Sequence, residues 1–292
     1  MQQRCLKPRP LWSMRHRVGF MQGRLSPPVN GRIQAFPRDC WREEFALADD
    51  ADLRIMEWTL DHEELHRNPL MTAAGRREIR RLSGQYGVAV PSLTGDCFMQ
   101  APFWKASGER RHELERVVLS VLDACDATGA NIVIVPLVDE GSLADGAEEE
   151  SLVRFLLSQA EDLDRRGLQL AFESDMAPFD LAAFIERFPV DLFGINYDIG
   201  NSASLGFDPI EEFAAYGSRI VNVHVKDRQL GGSTVALGDG DADFDAVFTG
   251  LSDLGYSGNF ILQTARDPEG SDLSSLVRFR NMTVDWLTRY GL

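Results

Sequence analysis

Four side chains with metal-binding atoms each follow a short apolar run in the second half of the chain. Glu173, Asp198 and His224 end three of these runs, and Gln263 ends a fourth. They offer carboxylate oxygens, an imidazole nitrogen and an amide oxygen, a donor set that suits Mn²⁺, Mg²⁺, Co²⁺ or Zn²⁺. The sequence therefore predicts one divalent-metal site formed by these four residues, with room left for substrate oxygens.

The spacing of these residues predicts how they come together. They are separated by roughly 25 to 40 residues, close to the ~30 or more that a strand, a helix and a return strand occupy. In a (β/α)₈ barrel the carboxyl ends of the strands meet at one mouth, where active sites lie. The alternative is that acids at strand ends only cap helices or pair with nearby cations.

Alternation along residues 221–226 supports this placement. Three valines share one face of the predicted strand, while Asn222, His224 and Lys226 share the other. Because side chains alternate between the two faces of a strand, we expect the polar set to point into the barrel.

Eight apolar runs, each followed by a segment of helical pattern, account for the chain from Val18 to Tyr290. The predicted strands cover residues 18–21, 53–58, 88–93, 131–136, 168–172, 192–197, 221–226 and 260–263, and the predicted helices residues 41–51, 72–86, 109–128, 149–166, 180–187, 209–216, 244–254 and 273–290. This order predicts an α/β fold, a single (β/α)₈ TIM barrel. We expect the barrel domain at 17–292 and a disordered extension at 1–16, which lacks the apolar core of a secretory signal.

Composition narrows the classes of partner. The formal net charge of −15 argues against a nucleic-acid partner, since phosphate backbones are bound by clustered Lys and Arg. No run of about 18 apolar residues is present, so we expect no membrane partner. The cysteines are scattered without metal or disulfide spacing, which favours a reducing cytoplasm. They are Cys5, Cys40, Cys97 and Cys125.

Cations gather after the last two predicted strands. Lys226, Asp227 and Arg228 follow the seventh strand and Arg266 follows the eighth, with glycine-containing turns at 231–240. Loops in these two places commonly form the phosphate site of a barrel. In so acidic a chain the three cations predict an anionic substrate, and Asp227 is expected among the substrate-binding residues; the alternative is solvated surface loops.

The stretch from His62 to His66 matches the H-E-x-x-H pattern of zinc peptidases, in which two histidines on one helical face hold zinc. Asn68 and Pro69 would end such a helix almost at once, and the surroundings are polar. We therefore keep the peptidase only as an alternative.

Five short phrases of the sequence are distinctive in combination. They are GFMQGRL at 19–25, YDIGN at 197–201, HVKDR at 224–228, LGDG at 237–240 and GYSG at 255–258. They resemble motifs of the xylose isomerase-like barrel superfamily of sugar and sugar-phosphate isomerases and epimerases, whose fold is shared with apurinic endonucleases. The resemblance covers Val18 to about Tyr290. It implies metal ligation by Glu173, Asp198 and His224.

The sequence departs from the resemblance at two positions. Gln263 stands where the family usually has a Glu ligand, and Asn201 stands where it often has a His. An amide can coordinate a metal but cannot take a proton, so one candidate base is lost. Glu173 remains the leading base, and Glu57, Asp96 or Asp139 is expected to supply the second acid/base group.

Taken together, the sequence predicts a divalent-metal-dependent isomerase or epimerase of a sugar phosphate or related polyhydroxylated anion, working through an enediolate. We expect Gln22, Arg24 and Asn201 among the substrate-binding residues. The alternatives are a sugar-binding sensor without catalysis and, less favoured because the chain has only five histidines, an apurinic endonuclease. Whether the chain forms a homo-oligomer stays open.

Overall fold

The computed structural model describes residues 16–267, 269–270 and 272–292. Its centre is a closed barrel of eight parallel strands, numbered here β1 to β8, in which each strand pairs with the strands before and after it and β8 closes onto β1. The barrel strands are β1 (Val18–Met21), β2 (Ile55–Thr59), β3 (Ala89–Thr94), β4 (Ile132–Leu137), β5 (Gln169–Ser174), β6 (Phe193–Asp198), β7 (Ile220–Val225) and β8 (Phe260–Leu262). The predicted (β/α)₈ fold is confirmed. The extension predicted at 1–16 lies, apart from His16, outside the described residues.

Helices connect the strands on the outside of the barrel. They are α1 (Glu43–Asp50), α2 (Ala73–Tyr86), α3 (Asp96–Gln100), α4 (Gly108–Thr128), α5 (Gly146–Ser158), α6 (Ala160–Arg166), α7 (Pro178–Ile185), α8 (Ile199–Leu205), α9 (Pro209–Tyr216), α10 (Phe244–Asp253) and α11 (Asp272–Tyr290). None of these helices is both long and apolar enough to cross a membrane.

The helix predicted at 149–166 differs from the structure at both its start and its middle. It begins earlier because the side chain of Asp145 accepts hydrogen bonds from the backbone N–H groups of Ala147 and Glu148, which caps the first turn of α5. It also divides at Gln159 into α5 and α6.

Three short elements at the barrel mouth were not predicted. Helices α3 and α8 begin directly after β3 and β6, and a two-stranded hairpin pairs Asp227–Arg228 with Thr234–Val235. The carboxylate of Asp198 accepts the N–H of Asn201 and so caps α8. These elements bring polar residues from the loops over the strand ends.

An aromatic cluster fixes the strands that carry two of the predicted ligands. The rings of Phe172 on β5 and Phe193 on β6 stack with centroids 6.1 Å apart, and Phe188 lies 4.6 Å from Phe193. Phe184 of α7 meets Phe172 edge-on at 5.0 Å. Each aromatic pair adds roughly 0.5–1.5 kcal/mol of stability beyond the contribution of the area it buries. These contacts therefore stabilise the packing of α7 against β5 and β6.

The loop after β1 is held by one buried carboxylate. Glu44 of α1 accepts the backbone N–H groups of Gly23 and Leu25 at 2.9 and 3.0 Å. Burial raises the pKa of Glu44 to about 7, although these N–H groups favour the charged form. A carboxyl with a raised pKa in the folded state keeps its proton there while the unfolded chain has lost it.

This predicts a pH-dependent loss of stability that Glu44→Gln removes. The contribution of Glu44 to the free energy of unfolding is fully present below its unfolded pKa of 4.5 and is lost as the pH rises through its folded pKa of about 7. Between pH 5 and pH 8 we expect the free energy of unfolding of the variant to rise by up to about 3 kcal/mol relative to that of the wild type, since one pKa unit corresponds to about 1.4 kcal/mol. Urea unfolding of both proteins at several pH values measures the difference. If the free energies of unfolding of the two proteins changed with pH in the same way, the prediction would be contradicted.

Candidate active site

Three predicted ligands meet at the carboxyl ends of β5, β6 and β7. One ligand atom each from Glu173, Asp198 and His224 lies within 4.8 Å of the other two, and within the described residues this is the one such cluster of three His, Cys, Asp or Glu side chains. Nδ1 of His224 is 3.2 Å from Oε2 of Glu173 and 3.9 Å from Oδ2 of Asp198. All three residues are buried. The strand register accounts for this, because Asp198 and His224 are direct partners across β6 and β7.

Glu57 lies beneath the imidazole of His224. Its Oε1 is 2.7 Å from Nε2 of His224, while its Oε2 accepts the hydroxyl of Ser92 at 2.7 Å and the amide of Asn222 at 3.0 Å. These contacts confirm that Asn222 and His224 point into the barrel. Glu57 is 0% exposed and both of its oxygens are occupied. This differs from the expected acid/base group open to substrate, because Glu57 lies one layer below the pocket.

The electrostatics of the cluster favour a cation. Burial alone would lower the pKa of His224, but the surrounding carboxylates of Glu57, Asp198 and Glu173 outweigh it and raise that pKa well above its usual range. Burial would likewise raise the pKa of Asp198, yet the ammonium of Lys226 and the imidazole hold it low. Three acids around one imidazole are the surroundings in which a proton or a metal ion is stabilised.

The ammonium of Lys226 lies beside the cluster and is fully hydrogen-bonded. Its Nζ donates to Oδ2 of Asp198 at 3.1 Å, to Oδ1 of Asn201 at 2.9 Å and to Oε1 of Gln263 at 3.2 Å. Its stem packs so closely on Gly200 that a Cβ there would lie 2.7 Å from Cγ of Lys226. The amide oxygen of Gln263 thus faces Lys226, and its service as a fourth metal ligand stays a prediction.

A pocket of about 220 Å³ opens above Glu173. This is below the ~300–1,000 Å³ typical of pockets for drug-sized ligands, and the pocket combines acids, cations and amides. It therefore suits a small, highly polar molecule. Its lining consists of Gln34, Thr94, Asp96, Met99, Gln100, Pro136, Val138, Asp139, Glu173, Asn201, Lys226, Arg228 and Gln263.

Asp96 and Asn201 line this pocket from the two helices that begin at its rim. Burial raises the pKa of Asp96 to about 6, with Asp61 and Glu173 adding to the effect. The side-chain amide of Asn201 donates to Oε1 of Glu173 at 2.7 Å, and its oxygen accepts from Arg228 at 2.9 Å. Asp96 thus has the environment of an acid/base group, and Asn201 connects the carboxylate of Glu173 to two cations.

Asp227 and Arg266, both predicted to bind substrate, are placed differently by the structure. The carboxylate of Asp227 is 0% exposed and accepts the N–H groups of Gly238, Gly240 and Ala242. Arg266 donates to the backbone oxygen of Ile33 and pairs with Asp272 at 3.0 Å. Backbone and loop partners take up the polar groups of both residues, and neither lines the pocket, so their role in substrate binding stays a prediction.

Gln22 and Arg24 are also buried outside the pocket lining. The side-chain oxygen of Gln22 accepts the N–H of Thr59 at 3.1 Å, which ties β1 to β2. Arg24 donates to the backbone oxygen of Ile33 and, at 3.3 Å, to Oε1 of Gln34. Both therefore support the loop after β1 and lie outside the pocket lining, and their role in substrate binding stays a prediction.

Gln34 is a pocket residue that the sequence did not reveal. It lies in the long loop after β1, where neither periodicity nor a motif distinguishes it. Its side chain bridges Gln263 and Asp96, with 2.7 Å to each.

The H-E-x-x-H stretch does not form a metal-binding helix. Glu64 has a left-handed φ of 52°, and Leu65–Arg67 is a single 3₁₀ turn. His62 and His66 therefore do not share a helical face, which the peptidase alternative requires.

Comparisons with known proteins agree with the barrel fold. A family model described as "Xylose isomerase-like TIM barrel" matches residues 45–280. L-ribulose-5-phosphate 3-epimerase UlaE of Salmonella paratyphi A is 24% identical over 265 residues, which cover 87% of this chain and 92% of that protein. A xylose isomerase domain protein from Planctomyces limnophilus has a similar structure, with a TM-score of 0.72, 16% identity and coverage of 94% and 98% of the two chains. The IOLI protein, solved with a bound zinc atom, gives a TM-score of 0.71 at 17% identity, with 94% and 99% covered.

Proposed function

This chain belongs to the xylose isomerase-like TIM barrel family, and on that premise we propose that it is a divalent-metal-dependent isomerase or epimerase of a sugar phosphate or a related polyhydroxylated anion. The observation that carries the proposal is the buried cluster of Glu173, Asp198 and His224 at the base of a pocket that also contains Lys226 and Arg228. A relative named as an epimerase of a sugar phosphate supports the substrate class.

The donor atoms fit a divalent ion. Glu173, Asp198 and His224 would hold it, and Glu57 would orient the imidazole by accepting Nε2–H, which leaves Nδ1 directed towards the two acids. Mn²⁺, Mg²⁺, Co²⁺ and Zn²⁺ all accept such a mixed oxygen and nitrogen set. When bound, the ion would polarise a substrate carbonyl and so acidify the neighbouring C–H.

The remaining side chains supply proton transfer and binding. Glu173 takes the proton from the carbon next to the carbonyl, which gives an enediolate-type species, and Asn201 holds the carboxylate in place through a hydrogen bond to Oε1. Asp96, two strands away on the same pocket, acts as the second acid/base group, since a pKa of about 6 leaves both of its forms populated near neutrality. Lys226 and Arg228 attract the anionic group.

Exchange of solvent deuterium into substrate tests this function. The protein is stripped with a chelator, reloaded with each of the four metals in turn and incubated in D₂O with a panel of free and phosphorylated ketoses. We expect label at a carbon adjacent to the carbonyl of at least one phosphorylated sugar, and only after reloading. Absence of exchange across the panel with every metal would refute the proposal.

A binding protein without catalysis is the second candidate. The observation in its favour is that an ammonium, Lys226, already contacts both Asp198 and the neutral Gln263. Such a protein would bind the sugar but take up no stoichiometric metal, so metal analysis by mass spectrometry separates the two functions. A cytoplasmic location remains a prediction, in line with free thiols at Cys40, Cys97 and Cys125.

A further inference from the structure

A chain of side-chain hydrogen bonds runs along the pocket from Lys226 to Asp96. Nζ of Lys226 donates to Oε1 of Gln263 at 3.2 Å, and Nε2 of Gln263 donates to Oε1 of Gln34 at 2.7 Å. Nε2 of Gln34 then donates to Oδ2 of Asp96 at 2.7 Å. Two neutral amides thus connect a cation at one end of the pocket with a carboxylate at the other.

The direction of this chain is fixed from both sides by groups that can only donate. A lysine ammonium has no acceptor, so the amide of Gln263 must turn its oxygen to Lys226 and its NH₂ to Gln34. Arg24 independently donates to the oxygen of Gln34 at 3.3 Å. With its oxygen directed to Gln263 and Arg24, Gln34 can present only N–H to Asp96, and Asp96 must accept.

A carboxylate at position 263 would disturb this arrangement, because it has no N–H to offer to Gln34. Gln34 would then have to turn its NH₂ towards residue 263 and its oxygen towards Asp96. Two oxygens facing each other require a proton between them, so Asp96 would be held in the protonated form. The amide of Gln263 therefore affects the protonation state of Asp96, although the two side chains are joined only through Gln34.

We propose that Gln34 and Gln263 are positioning residues that hold Asp96 as a proton acceptor directed into the pocket, where it works together with Glu173. This rests on the proposed function for the reaction itself, but the orientation of Asp96 can be tested without it. Neither glutamine has to touch the reacting carbon.

The other groups near Asp96 set the expected size of the effect. Thr94 donates to Oδ1 at 2.9 Å, so loss of the Gln34 contact leaves one hydrogen bond. Burial, Asp61 and Glu173 favour the protonated carboxyl, and the hydrogen bonds from Gln34 and Thr94 oppose them. Arg24 also interacts electrostatically with Asp96. The buried thiol of Cys97 follows Asp96 in α3. The other charged groups that line the same pocket are Asp139, Glu173, Lys226 and Arg228.

Gln34→Glu is the variant that tests the proposal. Glutamate can still accept from Arg24 and Gln263, but it presents an oxygen to Asp96 instead of N–H. We expect the pKa of Asp96 to rise by about one unit or more, measured by ¹³C NMR of carboxyl-labelled aspartate, with the Asp96 signal assigned through Asp96→Asn. The acidic limb of the deuterium-exchange rate should move upward by the same amount, with exchange recovering at higher pH. An unchanged pKa of Asp96 would overturn the proposal.

Two further variants make the result unambiguous. Gln85→Glu adds the same charge on the exposed face of α2 and should leave the pKa of Asp96 unchanged. Gln34→Met removes the N–H donor without adding charge, and we expect a smaller rise in the same direction, which provides the test if Gln34→Glu does not fold. If no sugar exchanges deuterium but the pKa shifts as expected, the positioning role stands and the proposed reaction falls.

Discussion

Glu173→Gln is expected to lower deuterium exchange at the substrate carbon by about a thousandfold and to weaken metal binding as well. General acid–base catalysis contributes roughly 10²–10⁴-fold, and a glutamine amide cannot take a proton. The same substitution removes one of two negative charges from the ligand cluster. Exchange rates followed by mass spectrometry, together with calorimetric titration of metal into stripped protein, measure the two losses separately.

The local hydrogen bonds show what else this substitution changes. Oε2 of Glu173 accepts from the amide of Asn196 at 2.8 Å and Oε1 accepts from Asn201 at 2.7 Å. An amide at 173 can accept only one of these, so a buried donor loses its partner at a cost of about 1–3 kcal/mol. Thermal unfolding should therefore accompany the assay. Glu161→Gln, on the exposed first turn of α6, is the control and should retain full exchange. A Glu173→Gln protein that keeps a tenth of the wild-type rate would not have lost its base.

The strand residues of the site were predictable because backbone geometry alone decides where they go. Alternation places Asn222 and His224 in the barrel interior, and parallel register puts Asp198 beside His224. The two amino acids that give the cluster its charge, Glu173 and Asp198, lie at or next to the ends of β5 and β6. Such positions can be inferred from apolar runs and spacing without knowledge of any loop.

How far a side chain lies below the barrel mouth was harder to predict than which face of its strand it is on. Glu57 points inward as alternation requires, but β2 continues to Thr59 and so leaves Glu57 two residues below the strand end. The predicted strand ended at residue 58, which moved Glu57 too close to the mouth. An error of one residue at a strand boundary thus makes a residue beneath the cluster of Glu173, Asp198 and His224 look like a group open to substrate.

Residues deeper in the loops were predicted less well than those just past the strand ends, because their partners lie in other parts of the chain. Asp227 was expected to meet substrate but closes the turns at 238–242 through backbone N–H groups. Arg266 reaches back to Ile33 in the loop after β1. The same loop brings Gln34 to Asp96, and no periodic pattern encodes that approach. These loops determine which polar groups face the pocket.

The role of Glu57 gives the second large expected effect, since Glu57→Leu and Glu57→Gln should behave differently. Leucine leaves the imidazole of His224, the hydroxyl of Ser92 and the amide of Asn222 without their common acceptor in a fully buried place. Breaking such a buried ionic network typically costs about 3–5 kcal/mol. We expect the free energy of unfolding of the metal-free Glu57→Leu protein to fall by that amount, measured with urea. A fall of less than about 1 kcal/mol would contradict the role of Glu57 as the common acceptor.

Glu57→Gln keeps an oxygen for Nε2–H of His224 but removes the charge and turns an NH₂ group towards Ser92 and Asn222. We therefore expect a smaller loss of stability than for Glu57→Leu, with the fold retained. Partners that orient a metal-bound histidine typically contribute 10–100-fold to metal affinity or activity, and we expect metal binding to weaken by about tenfold. Exchange should fall at limiting metal and recover at saturating metal, because the acid/base groups are intact. If Glu57 itself transferred the proton, the rate would stay low however much metal is added. Recovery by metal therefore distinguishes a group that orients His224 from one that takes part in the proton transfer.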